Sequence, residues 1–228
     1  MISTIYKKRL AFHQIWLIVA IACAVGFSSP TAAQDLTINQ ILDQMEQRYS
    51  GGGFSADFLQ ESTIKAMQIT DLAQGKIFVK YPGKMRWEYE TPEQQVIITD
   101  GHKLWVYRPE DNQVMTGGAP AFFRDGKGAS FLSDIKIIRQ KFNISLAGKD
   151  TDLLYELKLI PLEKTLAISD IRLKVTKQTF TVVNVATVNS YGDDTRIEMI
   201  NVKFNADLDN SLFSFEIPEG VDVLKLDE

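Results

Sequence analysis

Apolar and polar residues alternate with a period of two along most of the chain after residue 54, and this alternation limits the folds available. A period of two is the spacing of a β-strand with one buried face. The alternating segments are Phe54–Phe58, Ile77–Tyr81, Met85–Tyr89, Val96–Ile98, Lys103–Tyr107, Tyr155–Leu159, Ile171–Val175, Val182–Val188, Arg196–Phe204 and Phe213–Ile217. Pro-Gly, Asp-Gly and Gly-Asp-Asp signals join them, which predicts an antiparallel meander. About ten such strands do not stay flat. We therefore predict a mainly β (α+β) fold, a strongly curled, incomplete antiparallel β-barrel.

One helix precedes the strands. Apolar residues recur there at helical spacing, at Ile38, Ile41, Leu42, Met45 and Tyr49. Thr37 with Gln40 fits a capping box, and the three glycines 51–53 end the pattern. We predict an N-terminal helix that packs its apolar stripe on the sheet.

The alternation breaks between Val114 and Phe142, where glycines are frequent. Phe122 and Phe123 are apolar within this stretch, and helical spacing returns at Phe131, Leu132, Ile135 and Ile138, with Ser130 as a possible cap. A short helical insertion flanked by glycines is typical of a lid over the concave face. The alternative is a loop that plugs one end of the barrel.

Residues 1–33 are typical of a cleaved signal peptide. Lys7, Lys8 and Arg9 precede the apolar run 15–27, and small residues 31–33 follow Pro30. We expect cleavage after Ala33, export to the periplasm and one mature domain, residues 34–228. The context of Cys23 faintly resembles a lipoprotein processing site, but the apolar run continues beyond it.

The residue inventory argues against an enzyme. The full chain has a net charge of −4, and the signal peptide carries no acidic residue, so nucleic acid is not an expected partner. Cleavage would also remove Cys23 and His13, leaving His102, beside an Asp-Gly turn signal, as the single histidine. No nucleophile or phosphate-loop motif is present. We expect no catalytic residue, no metal and no cofactor, although a carboxylate pair of the glycosidase type stays open.

The apolar face of a curled sheet is filled either by its own side chains or by a ligand. Wide aromatic side chains and few helices to cover them favour a ligand. The candidate cavity residues are Ile77, Val79, Tyr81, Met85, Trp87, Tyr89, Val96 and Ile98, and the candidate lid residues are Phe122, Phe123, Phe131, Leu132 and Ile135.

Three segments carry a resemblance to a known family. Residues 75–94 read GKIFVKYPGKMRWEYETPEQ, residues 96–107 read VIITDGHKLWVY, and the closing stretch 213–223 agrees as well. The chain resembles the LolA family of periplasmic outer-membrane lipoprotein carriers along nearly its whole mature length. The resemblance implies an incomplete barrel with a helical lid, which takes an acylated lipoprotein from an inner-membrane ABC-type complex and passes it to an outer-membrane acceptor. It implies no covalent chemistry, and we expect a monomer.

One position departs from the family pattern. Tyr81 stands where the family commonly has an arginine that latches the closed lid, and a tyrosine offers one donor in place of five. We therefore expect a weaker latch. Three alternatives remain open: a carrier of another lipid, the lipid-anchored acceptor of the same fold, and a domain with a self-packed interior.

Overall fold

The alternating segments pair into a single twelve-stranded sheet in the computed structural model, which describes residues 36–119, 131–148, 151, 153–164 and 166–226, apart from the side chains of residues 205 and 206. The strands are β1 (Gly53–Ile64), β2 (Ile69–Lys80), β3 (Lys84–Thr91), β4 (Gln95–Thr99), β5 (Lys103–Arg108), β6 (Gln113–Gly118), β7 (Phe142–Leu146), β8 (Leu154–Pro161), β9 (Asp170–Thr176), β10 (Val182–Val188), β11 (Asp194–Ala206) and β12 (Asp222–Lys225).

The strand order is β12-β6-β5-β4-β3-β2-β1-β11-β10-β9-β8-β7, so two meanders join where β1 pairs with β11. All pairs are antiparallel except β12 with β6. The sheet curls strongly and its two edge strands, β12 and β7, are not paired with each other. The predicted mainly β, incomplete antiparallel barrel is therefore confirmed.

Helix α1 (Ile38–Ser50) begins and ends where the sequence predicts. The side chain of Thr37 accepts from the backbone N–H of Gln40, whose own side chain accepts from the N–H of Thr37, so both halves of the capping box form. Its buried residues are Ile41, Leu42, Met45 and Tyr49. They join the main core, so α1 packs its apolar stripe on one face of the sheet.

The cross-strand register divides the side chains of the sheet into two faces, because directly paired residues in antiparallel strands share a face. We call the face that carries Phe54, Phe58, Ile77, Trp87 and Leu173 the core face, since these residues and α1 belong to one buried cluster. The opposite, outer face is largely charged, as the pairing of Arg172 with Lys158 illustrates.

A short segment also lies against the core face. Residues 131–133 form one 3₁₀ turn and Ile137–Lys141 forms helix α2. We call residues 131–141 the cover segment. Its apolar residues Phe131, Leu132, Ile135 and Ile138 are buried in the same cluster as α1, in agreement with their helical spacing. Phe122, Phe123 and Ser130 lie outside the described residues.

The predicted strand at Phe213–Ile217 is wrong. Phe213 ends a 3₁₀ helix, Asn210–Phe213, which begins where the Asp209 carboxylate accepts the N–H of Ser211. Phe213 is buried and the ring of Phe215 lies 5.4 Å from that of Tyr107. The alternation therefore reflects side chains that point towards the sheet, not a hydrogen-bonded ladder. The edge strand is β12, further along the chain.

No helix within the described part of the chain is long and apolar enough to cross a membrane.

Candidate functional site

Four of the predicted cavity residues lie side by side at the centre of the core face. Ile77 pairs with Trp87 and Val79 pairs with Met85, across β2 and β3. All four side chains are buried. Tyr89, two residues beyond Trp87, shares this face but is only partly buried. Tyr81 follows β2 directly and is also partly buried.

The prediction that Val96 and Ile98 share this face is wrong. Val96 pairs with Glu88 and Ile98 pairs with Arg86, so both point to the outer face. Ile97, which pairs with Trp87, takes the core-face position and packs against the main cluster.

Ile98 is nevertheless fully buried, because the C-terminal segment crosses the outer face at this point. The guanidinium of Arg86 donates to the carbonyl of Leu212 there, and Lys80 Nζ donates to the carbonyl of Leu208 at 2.8 Å. Both faces of β4 are thus covered by protein.

Three aromatic rings form a cluster on the core face. The centroid of Phe58 lies 4.8 Å from that of Trp87 and 5.0 Å from that of Tyr89, and Trp87 stacks on Tyr89 at 6.3 Å. Phe58 approaches this closely because it pairs with Gly75, which has no side chain in the way. A Cβ at Gly75 would lie 3.0 Å from the Phe58 ring.

The aromatic cluster ends at a small polar opening. The Tyr89 hydroxyl donates to Gln60 Oε1 at 3.1 Å, and burial raises the pKa of Tyr89 to about 12. Both residues line an open pocket of about 310 Å³ together with Pro92, Gln94 and Arg108. We call this pocket the vestibule. Sequence analysis missed Phe58 and Gln60 as neighbours of Tyr89, because only the β1–β2–β3 register brings them together.

The cover segment closes the other side of the core face and is tied down by a few polar contacts. The N–H of Gly83, in the β2–β3 turn, donates to the carbonyl of Ser133 at 3.0 Å. Lys136 Nζ lies 5.8 Å from the centre of the Tyr81 ring. Tyr81 therefore does contact the predicted lid, as a cation–π partner and not as a fork of donors.

Arg139 makes the largest number of these polar contacts. From α2 its guanidinium donates to the carboxylates of Asp43 and Glu46, and to the side chain and backbone oxygens of Asn39. All three partners are on α1. The sequence offered no signal for this cluster, since about a hundred residues separate α2 from α1.

A larger opening lies on the outer face. It is an open trough of about 980 Å³ with both apolar and charged side chains in its lining, and the charged ones include Glu61, Glu156, Arg172, Lys174, Arg196 and Glu198. Burying an apolar ligand against these groups would remove their hydration, so the trough does not suit a hydrocarbon chain.

The described residues hold no group of three His, Cys, Asp or Glu side chains placed to bind a metal. His102 lies in the β4–β5 turn, where its N–H and that of Lys103 donate to the Asp100 carboxylate. This is the turn that the Asp-Gly pair predicted.

The open twelve-stranded sheet and its covered apolar face define the class, an incomplete antiparallel β-barrel. Comparison with known proteins gives the family. Residues 51–216 match the model described as "Outer membrane lipoprotein carrier protein LolA". The chain therefore belongs to the LolA family.

Relatives match along most of their length. An outer-membrane lipoprotein carrier protein of Chromobacterium violaceum is 32% identical over 212 residues, which cover 92% of this chain and 97% of the relative. One from Coxiella burnetii is 32% identical over 174 residues, which cover 75% and 80%. The fold also matches an uncharacterized conserved protein of Thermus thermophilus, with a TM-score of 0.56 at 13% identity over 82% of this chain and 98% of that one.

Proposed function

We propose that this chain is a periplasmic carrier that shields the acyl chains of lipoproteins against its core face and moves them from the inner to the outer membrane. Membership of the LolA family and relatives named as outer-membrane lipoprotein carriers support this role. Residues 1–33 would direct export and be removed. No covalent step is part of the proposal.

The observation that carries the proposal is the core face itself. Aliphatic and aromatic side chains run across it, and no charged side chain is buried within the described part of the chain. A segment of only eleven residues, 131–141, covers the part next to Tyr81. Because this segment contains no strand, its apolar side chains can leave the core face without breaking a strand pair. A cargo chain would take the place of the cover segment, which then acts as a lid.

The energetics allow such an exchange. Burying an acyl chain contributes about 0.8 kcal/mol per CH₂, so a chain of about 15 methylenes contributes roughly 12 kcal/mol. Phe131, Leu132, Ile135 and Ile138 are buried, and at about 1.5–3 kcal/mol each they contribute roughly 6–12 kcal/mol. Because the two amounts are of the same order, closing the lid over an empty face offsets much of the loss when cargo leaves.

The proposed partners follow from this cycle. An ABC-type lipoprotein-releasing complex of the inner membrane would supply the cargo, and an outer-membrane acceptor, where present, would take it from a monomeric carrier. Tyr81 would form a weak latch with Lys136, and Phe122 and Phe123 would belong to the lid. Replacing Tyr81 with Phe tests whether its hydroxyl contributes to that latch. We expect a changed rate of ligand release, and an unchanged rate would remove the Tyr81 hydroxyl from the gating mechanism.

The first experiment is native mass spectrometry of the protein purified from periplasm without detergent. We expect one acylated lipoprotein per carrier and a chain that begins at Gln34. A different bound lipid would keep the mechanism and change the cargo. A chain lipidated at Cys23 would favour the acceptor, and absence of any ligand, with no uptake of added lipoprotein, would refute a transport role.

A second experiment tests the lid directly. Removal of residues 1–33 would take away Cys23, the only cysteine of the full chain, so Asn39→Cys with Arg139→Cys would give the mature protein a unique pair for a short bismaleimide cross-linker between α1 and the cover segment. We expect the cross-linked protein to lose uptake of an acylated lipopeptide that the same variant takes up before cross-linking. Equal uptake would mean that the core face opens elsewhere.

A further inference from the structure

The indole of Trp87 carries an unusual feature for a residue of the central core. Its Nε1–H is buried and has no hydrogen-bond partner within the described part of the chain. A buried donor without an acceptor destabilises a protein, and such groups are rare in native structures. A phenylalanine at this position would fill much of the same space without the penalty.

Two tyrosine hydroxyls of this core do have partners. The Tyr49 hydroxyl accepts from the N–H of Val182 at 2.9 Å, and the Tyr89 hydroxyl donates to Gln60. Within the described part of the chain, one other buried side-chain nitrogen or oxygen has no hydrogen-bond partner, Asp170 Oδ1. That atom lies on the outer face, 3.5 Å from the guanidinium of Arg172. The unpaired indole is thus specific to the aromatic cluster.

Trp87 also lies between an apolar part of the core face and the polar vestibule. Along β3 the core-face positions are Met85, Trp87 and Tyr89, about 7 Å apart. Met85 is buried between Val79 and Thr99, whereas Tyr89 lines the vestibule. One strand therefore presents an apolar surface, then a hydrogen-bond donor, then a polar opening.

An acyl group has the same order of parts. Its methylene chain is apolar, its carbonyl is a hydrogen-bond acceptor, and the polar remainder of the molecule follows. We propose that the Trp87 indole donates to an ester carbonyl of the bound acyl group, which fixes the depth of the chain and directs the polar part of the cargo to the vestibule. This inference rests on the proposed carrier function and adds a residue that distinguishes acyl from alkyl chains.

The test compares two ligands on two matched variants. The ligands are a dipalmitoyl-glyceryl cysteine peptide and its dihexadecyl ether analogue, which lacks both carbonyls. The variants replace Trp87 or Trp105 with benzothienylalanine, in which sulfur takes the place of the indole N–H at nearly constant shape. Trp105 pairs with Ile98 and so points to the outer face, which makes it the control.

We expect the Trp87 variant to bind the ester ligand about five- to tenfold more weakly, the loss of one hydrogen bond. Its affinity for the ether ligand should stay at the wild-type value, and the Trp105 variant should match wild type for both. In the wild type, the indole ¹H–¹⁵N resonance of Trp87 should move downfield with the ester ligand only.

Two results overturn the inference in different ways. If wild type binds the ester ligand but the Trp87 variant loses nothing, or loses both ligands equally, the carrier function stands and the carbonyl contact is wrong. If wild type binds neither ligand, the carrier function fails and the inference fails with it.

Discussion

The contact between Arg139 and α1 predicts how firmly the cover segment is held. Replacing Arg139 with Met keeps most of the apolar stem and removes all donors to Asn39, Asp43 and Glu46. The rest of α2 keeps its burial through Ile138. The substitution therefore tests the polar tie separately from the apolar packing.

The magnitude follows from the exposure of the groups. The Arg139 and Glu46 side chains are 30% and 24% exposed, so their charge-assisted bond is partly shielded from water, whereas Asp43 is 67% exposed and adds little. With the two bonds to Asn39, we estimate a total of about 2 kcal/mol. That corresponds to a roughly thirtyfold rise in the population of the opened cover segment.

Hydrogen exchange measures this directly. The N–H of Ile138 donates to the carbonyl of Ile135 within the cover segment, so its exchange should accelerate by roughly thirtyfold in Arg139→Met under native conditions. The N–H of Val182, which donates to the Tyr49 hydroxyl in the buried core and has no contact with the cover segment in this bond, should accelerate much less. Lys141→Met, which removes an exposed charge from the same helix, is the matched control.

The reasoning about Arg139 would be refuted by Ile138 exchange that stays at the wild-type rate, or by equal acceleration at Ile138 and Val182. High salt offers an independent check, since 1 M salt screens partly exposed charges. It should accelerate exchange at Ile138 in wild type and have little effect in the Arg139 variant.

Three further predictions concern stability. Tyr49→Phe leaves the buried N–H of Val182 without its acceptor and should lower the free energy of unfolding by about 1–3 kcal/mol in urea titrations, whereas Tyr191→Phe, at an exposed position, should change nothing; equal effects would contradict this. Gly75→Ala places a Cβ against the backbone carbonyl of Glu88, which cannot yield, and should destabilise by about 3 kcal/mol or more, while Gly51→Ala, with its nearest contact at 3.8 Å, should be tolerated; a stable Gly75→Ala protein would show that the register relaxes. Burial raises the pKa of Tyr89 to about 12, above its value of about 10 in the unfolded chain, so the folded state holds this proton more tightly. The stability that this pKa difference contributes is fully present below pH 10 and is lost as the pH rises through 12. The unfolding free energy of Tyr89→Phe should therefore fall less steeply than that of wild type between pH 10 and 12. Parallel curves would argue against a raised pKa for Tyr89.

The sequence by itself determined the local elements. The capping box of Thr37 and Gln40 and the apolar stripe of α1 are contained within a few turns of chain, so they were readable without tertiary information. The same holds for most strands of both meanders and for the helical spacing from Phe131 to Ile138, whereas β6, β7 and β12 lie outside the predicted segments. A pattern of period two or 3.6 fixes which side chains share a face of one element.

The tertiary structure decided which side chains of a strand lie on the core face and which residues they meet on the neighbouring strands. Val96, Ile97 and Ile98 are consecutive apolar residues, so alternation could not tell which of them lie on the core face. Only the pairing of β4 with β3 places Ile97 there. The same pairing brought Gln60 to Tyr89.

Contacts distant in sequence were equally hidden. β12 pairs with β6, and Arg139 reaches α1, each across about a hundred residues of chain. The indole N–H of Trp87 is without a partner only because the surrounding strands place no acceptor beside it. Local patterns report the environment that a residue prefers, whereas the partners it meets depend on register and chain path, which are properties of the whole sheet.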